Sequence, residues 1–166
     1  MALINRTYGE SEDTRAFITG DWMNIIYQSG LTTTLDGGCS QTGPISDAYD
    51  YGSTNYVTLD WTDTGGESTF KYDLGEKRQI KNVTCSCGPT GTQATTYTVK
   101  IQGSNDDSSW DDLATATGSK GAGVTLYEDL TSGECNYHYI RFYFDSVQTA
   151  SASSSGFQIY NLGIYI

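Results

Sequence analysis

Across Tyr97–Leu113 the side chains alternate: Val99 and Ile101 point one way, and Thr98, Lys100 and Gln102 the other. A period of two marks a half-buried strand. The polar run Asn105 to Ser109 that follows suits a turn and no helix, so the segment reads as strand, tight turn and second strand. The same rhythm predicts strands over Thr69–Leu74, Gln79–Cys87, Tyr97–Ser104, Trp110–Ala116, Val124–Leu130, Tyr137–Phe144 and Gly156–Ile166. Helical periodicity never persists for three turns. The expected fold is therefore all-β, a mainly antiparallel, jelly-roll-like sandwich.

Outside these segments the pattern weakens. Thr32–Asp60 reads as loop-rich, with GG, GP and YG steps marking turns. Trp22, Met23, Ile25, Ile26 and Tyr27 form an apolar patch that reads as a strand, while residues 1–15 suit an arm docking on a neighbouring subunit. The division expected is residues 1–30 as N-terminal strand or arm and 31–166 as the sandwich. Thr149–Ser155, of low complexity, reads as a surface loop.

Composition supports this picture. A chain of 166 residues can bury its own core as one domain, and 19 Gly, 13 Tyr and only 2 Pro suit many short strands joined by turns. A formal charge of -11 repels phosphate backbones and anionic lipid, so neither nucleic acid nor membrane insertion is expected. No run reaches the length of a membrane span. The N-terminus shows no basic region followed by a long apolar stretch, so no signal peptide is read there. A cytosolic protein, one released with assembled virions, or one trimmed of its signal would all look this way.

Little catalytic chemistry is visible. Cys85 and Cys87 lie two apart on one strand face, poorly placed to bond each other, and pairing of either with Cys39 or Cys135 stays open. The spacing lacks the paired Cys-x-x-Cys knuckles of a zinc site, so buried thiols are expected. His138 is the single histidine, and no Gly-x-Ser-x-Gly elbow accompanies it. Asp106/Asp107 and Asp111/Asp112 sit at the hairpin, where solvated turn acids are commoner than a glycosidase pair. Trp110 is expected to pack under the hairpin, and Arg141 to pair with a carboxylate at the core edge. The sequons at Asn5 and Asn82 are read as chance. No enzyme activity is expected.

Several pieces in order resemble the discoidin (coagulation factor type C) family and related carbohydrate-binding modules. They are the loop Ala48-Tyr49-Asp50-Tyr51-Gly52-Ser53-Thr54-Asn55-Tyr56, the strand Phe70–Gly75 ending in Asp-Leu-Gly, the hairpin with Trp110, Tyr139-Ile140-Arg141-Phe142, and the closing strand Ile159–Ile166. The resemblance covers residues 45–166 and implies a galactose-binding-like sandwich. Two features depart from the family. Cys39 and Cys135 do not lie at the domain ends, where extracellular members often place a disulfide, and Asn161 stands where the closing strand often has a glutamate.

In carbohydrate-binding relatives the Asp-containing loop holds a structural calcium. The resemblance thus assigns Asp50 and Thr54 to the ion, with Asn161 replacing the usual acid and Asp47 compensating. Calcium takes six to eight oxygens and its affinity follows ligand charge, so loss of a carboxylate weakens the site. The ligand site of such modules lies at loop tips, where aromatic rings stack on a sugar and polar groups take its hydroxyls. Here those loops are Thr62–Ser68, Gly88–Thr96 and Ser146–Ser155, flanked by Trp61 and Phe157, with Gln93 and Gln148 supplying amides.

The resulting expectation is a non-catalytic binding module displayed on a larger assembly: a phage or other virion surface protein, as decoration or fibre, with potential for glycan adhesion. Its partners would be cell-surface or extracellular glycans, other virion proteins or further copies of itself. It would sit on the virion surface or outside the cell. A carbohydrate-binding module of a secreted glycoside hydrolase and a purely structural capsid or filament subunit are the alternatives.

Overall fold

The computed structural model describes residues 25–27, 32–36, 40–44, 48, 56–61, 65–90, 94–119, 123–130, 135–148 and 155–166. Ten strands are seen there: β1 (Thr32–Asp36), β2 (Ser40–Thr42), β3 (Val57–Trp61), β4 (Gly65–Gln79), β5 (Asn82–Thr90), β6 (Ala94–Ser104), β7 (Asp111–Ser119), β8 (Val124–Asp129), β9 (Asn136–Gln148) and β10 (Ser155–Tyr165). They form two five-stranded sheets, in the orders β1-β4-β9-β6-β7 (sheet one) and β2-β3-β10-β5-β8 (sheet two). Every pairing is antiparallel.

The alternation in the sequence explains how the sheets face each other. Phe70, Tyr72 and Leu74 of β4, Tyr97, Val99 and Ile101 of β6, and Ile140, Phe142 and Phe144 of β9 are buried from sheet one. Val57, Leu59, Val83, Cys85, Cys87, Ile159, Leu162 and Ile164 meet them from sheet two. The aromatics interlock edge to face: Phe70 on Phe144 at 6.2 Å and Tyr72 on Phe142 at 5.9 Å. Such pairs add about 0.5–1.5 kcal/mol each beyond the area they bury.

All seven strands read from the periodicity are present, and several run further than the apolar signal. Of the loops expected at Thr62–Ser68, Gly88–Thr96 and Ser146–Ser155, residues 65–68, 88–90, 94–96, 146–148 and 155 are strand. The added residues are mostly Gly, Ser and Thr, and backbone pairing with neighbours holds them, which no hydropathy pattern records. For the same reason Thr32–Asp60 is not all loop: it contributes β1, β2 and β3.

The strand expected over Trp22–Tyr27 is corrected where it is described. Ile25–Tyr27 form one 3-10 turn beside β10. Ile25 and Ile26 are both buried. Successive residues of a strand would point to opposite faces, whereas a tight turn lets both neighbours reach the core. Residues 1–24 lie outside the described residues.

Two local irregularities shape the surface. The Asp-Leu-Gly step bends β4: the Gly75 N–H donates to Asp73 Oδ1 at 2.8 Å, Gly75 has φ 74°, and the pairing with β9 shifts register between Asp73 and Arg78. In β10 the register shifts between Ile159 and Asn161. This bulge reverses the alternation. Ile159 faces the core before it and Leu162 and Ile164 after it, while Tyr160 is turned outward.

Candidate functional site

Strand direction gathers the connections at one end of the sandwich. Gly65 of β4 pairs with Val147 of β9, Ala94 of β6 with Gln148 of β9, Gly156 of β10 with Thr90 of β5, and Ser155 of β10 with Trp61 of β3. The links 62–64, 91–93 and 149–154 therefore all leave from this end, each passing from one sheet to the other. Trp61 closes β3, Gln148 closes β9, and Phe157 lies two residues into β10, paired with Leu59 and Pro89. Gln93 lies in the 91–93 link, outside the described residues. The backbone thus brings Trp61, Gln148 and Phe157 to a common rim.

Of the residues assigned to calcium, Asp47, Asp50 and Thr54 lie outside the described residues. Ala48, the first residue of the matching sequence, is fully buried. Asn161 lies on β10 on the outward side of sheet two and is 3% exposed. Its Nδ2 donates to Thr84 Oγ1 over a long 3.4 Å. The carbonyl oxygen of that amide fits a neutral calcium ligand, one of the six to eight the ion takes. Among the described residues no group of three His, Cys, Asp or Glu gathers to hold a metal.

The hairpin is an ordered polar turn at the opposite end. Asp106 Oδ1 accepts from the N–H of Ser108 at 2.9 Å and of Ser109 at 2.7 Å, and Oδ2 accepts from Ser109 Oγ at 3.0 Å. Ser104 Oγ accepts from the N–H of Asp106 and Asp107, which leaves Asp107 at φ 59°. The backbone donors of Ser109 and Ser108 hold the Asp106 carboxyl well below the usual carboxylate range. Asp107 receives Lys71 at 2.7 Å, Asp111 accepts from the Tyr137 hydroxyl at 3.2 Å, and Asp112 receives Lys100 at 2.8 Å. Each of these acids has a structural partner.

Trp110 and Arg141 behave differently from expectation. Trp110 is half-buried on the outer side of sheet one rather than under the hairpin, and the Arg141 guanidinium lies over it, 4.1 Å from the ring centre. Arg141 Nε donates to Gln102 Oε1 at 2.7 Å, and Gln102 Nε2 passes the contact to Asp112 Oδ1. The arginine therefore reaches its carboxylate through an amide. Burial lowers the Arg141 pKa somewhat, with nearby Tyr143, Asp107, Asp112 and Glu67 opposing. The Tyr143 phenol is pushed up by burial and by its hydrogen bond to Glu67.

Other readings find their places. Cys85 and Cys87 are buried free thiols 3.8 Å apart, Cys135 is a half-buried free thiol, and burial pushes the Cys87 thiol up. Cys39 lies outside the described residues. Asn82 of the second sequon is buried and donates to the Glu128 carbonyl at 2.8 Å, so it offers no glycan attachment. His138 Nε2 meets Asp73 Oδ1 at 3.0 Å, and its ring stacks on Tyr139. Three residues escaped sequence reasoning: Tyr56, Tyr127 and Tyr160 are 42%, 57% and 42% exposed, all on sheet two or its margin. For Tyr127 the signal was present, since it is out of phase with the buried Leu126.

Comparison with solved structures supports the fold. Chitosan-binding module 1 of a chitosanase/glucanase from Paenibacillus sp. IK-5 superposes with a TM-score of 0.53 at 20% identity, covering 87% of this chain and 99% of that one. The family 32 carbohydrate-binding module of Clostridium perfringens NanJ, in complex with galactose, gives 0.50 at 17% identity, covering 82% and 93%. A mutant Ruminococcus gnavus fucosidase in complex with fucose gives 0.57 at 17% identity, covering 86% of this chain but 26% of the enzyme. No match was found among curated protein sequences. The F5/8 type C domain model matches residues 32–158, from β1 into β10. The chain belongs to the F5/8 type C domain family.

Proposed function

We propose that the protein is a non-catalytic carbohydrate-binding module whose sugar site lies at the rim carrying Trp61, Gln93, Gln148 and Phe157. The observation that carries this reading is the convergence of three sheet-crossing links on one end of the sandwich, with Trp61, Gln148 and Phe157 at their roots. Two aromatics and two amides are the groups a pyranose needs: ring faces for its C–H surface, donors and acceptors for its hydroxyls. Further support comes from relatives of this fold described as modules for chitosan and in complex with galactose. A structural role for the hairpin acids and for His138 argues against hydrolytic machinery in the described residues.

The module serves a larger assembly. Our reading is display on a virion surface, as decoration or fibre protein, where a formal charge of -11 keeps closely spaced copies apart. The fucosidase, in which a domain of this shape occupies about a quarter of the chain, favours a second setting, a targeting module of a secreted glycoside hydrolase. In either setting Asp47, Asp50, Thr54 and the Asn161 oxygen would clamp the neighbouring loop around calcium, with no part in bond chemistry.

A glycan array probed with the labelled domain, with calcium and with chelator, tests the reading. Binding to a defined set of glycans should fall at least roughly tenfold in a Trp61→Ala/Phe157→Ala double variant. Calcium should also raise the thermal midpoint of the wild type but not of Asp50→Ala. No binding at any calcium level would refute the sugar site and leave a purely structural capsid or filament subunit.

A further inference from the structure

The outer side of sheet two carries a second, unassigned feature. Between β8 and β10, across β5, runs a groove lined by Thr84, Ser86, Thr125, Tyr127 and Asn161 together with the buried Cys85 and Leu126. At its base Asn161 and Thr84 are buried and hydrogen-bonded to each other. Its upper walls are hydroxyls, with Ser86 Oγ and Thr125 Oγ1 3.3 Å apart. Two adjacent hydroxyls can still donate to and accept from a ligand.

Tyrosines stand on both sides. Tyr127 rises from β8 at 57% exposure, and Tyr160 from the β10 bulge at 42%. The second ring's hydroxyl donates to Gln158 Oε1 at 2.7 Å, and the ring packs edge to face with Tyr56 at 6.1 Å and 73°. These three are the exposed large hydrophobic residues among those described. Tyr160 is turned out as the neighbour of the inward-facing Ile159, and the bulge keeps Asn161 on the same outer side. Tyr127 and Tyr160 lie on strands two apart and are staggered by two to three residues along them, so their backbones are separated by roughly 13 Å, the scale of a few sugar units.

We infer that this groove is a second binding site, for the interior of a neutral oligosaccharide chain, with Tyr127 and Tyr160 stacking on sugar rings and Ser86 and Thr125 taking their hydroxyls. The lining chemistry selects the occupant. No carboxylate, ammonium or guanidinium lines the groove, so it offers nothing to pair with a charged ligand. A formal charge of -11 disfavours an anionic polymer or a second copy of the chain on this face. A neutral, hydroxyl-rich ligand matches both the hydroxyl walls and the exposed rings. The site rests on the reading of the chain as a carbohydrate-binding module and uses none of the rim residues; it shares with the proposed calcium clamp only Asn161, whose Nδ2 faces Thr84 at the base of the groove.

Titration calorimetry with N-acetylchitohexaose, cellohexaose and a β-galactohexaose, and with their monosaccharides, separates the two sites. At least one hexasaccharide should bind wild type more tightly than its monosaccharide. Tyr127→Ala/Tyr160→Ala should remove roughly tenfold of the hexasaccharide affinity and leave the monosaccharide unchanged, while Tyr127→Phe/Tyr160→Phe retains the stacking and most of the affinity. Trp61→Ala should weaken both ligands. Equal hexasaccharide affinity in wild type and Tyr127→Ala/Tyr160→Ala overturns the groove and spares the rim. Trp61→Ala without effect overturns the rim alone. Absence of binding by all probes overturns both. Sedimentation showing a wild-type dimer that the tyrosine substitutions dissolve would instead make the face a contact between copies.

Discussion

The two outer faces of the sandwich use opposite chemistry. On sheet one, charge is neutralised internally: Lys71 holds Asp107, Lys100 holds Asp112, and Arg141 covers Trp110 while bonding Gln102. On sheet two, the groove at β5 has hydroxyls and an amide, and the tyrosines beside it stand in solvent. The polar groups of both faces bond among themselves, so what distinguishes sheet two is the aromatic surface it leaves exposed at Tyr127 and Tyr160. That exposure costs stability to maintain, since aromatic surface left in water forgoes burial. That contrast is what the proposed groove on sheet two and the proposed rim site build on.

Substitutions should divide along the same line. The largest effect is expected from Arg141→Ala, which removes a charge-assisted hydrogen bond and the cover over Trp110. A loss of about 2–3 kcal/mol, or roughly 5–10 °C in the thermal midpoint, should follow. Tyr127→Ala on the other face should change stability by no more than about 0.5 kcal/mol. Thermal unfolding of both variants checks the contrast. Equal losses would mean that the tyrosine face is structural after all.

A smaller effect concerns pH. The hydrogen bonds of Ser109 and Ser108 lower the Asp106 pKa, and those of Lys100 and Gln102 lower that of Asp112. A carboxylate with a depressed folded pKa stabilises the fold above its unfolded pKa of about 4 and loses that contribution as pH falls toward the folded value. Asp145, raised by burial and then by Glu67, works in the opposite direction. Chemical denaturation between pH 7 and pH 2 should show stability falling below about pH 4, with a shallower fall in Asp106→Asn/Asp112→Asn. An unchanged acid slope in that variant would contradict the assignment.

Much of the frame was legible. The alternation of Val99 and Ile101, and the Asp-Leu-Gly and hairpin pieces, are local signals that survive folding intact. That the backbones of Trp61, Gln148 and Phe157 come to one end of the sandwich follows from strand direction, which the order of strands along the chain sets. What stayed hidden depends on neighbours. β2 has three residues and exists through pairing with β3. The reversal of phase in β10 needs the bulge opposite β5 to be seen before Asn161 is recognised as sharing the outer side with Tyr160. Among 13 tyrosines, composition alone cannot separate the buried Tyr72 and Tyr97 from the exposed Tyr127.

The most direct test of the account is a map of backbone amide shifts, by nitrogen-proton correlation spectra, during titration with the hexasaccharide that binds best. Shifts should cluster at the strand ends around Trp61, Gln148 and Phe157 and along Ser86, Thr125, Tyr127 and Tyr160. The ion-paired face around Lys100, Asp112 and Arg141 should stay silent. Shifts confined to that ion-paired face, with none at the rim or the groove, would contradict the account.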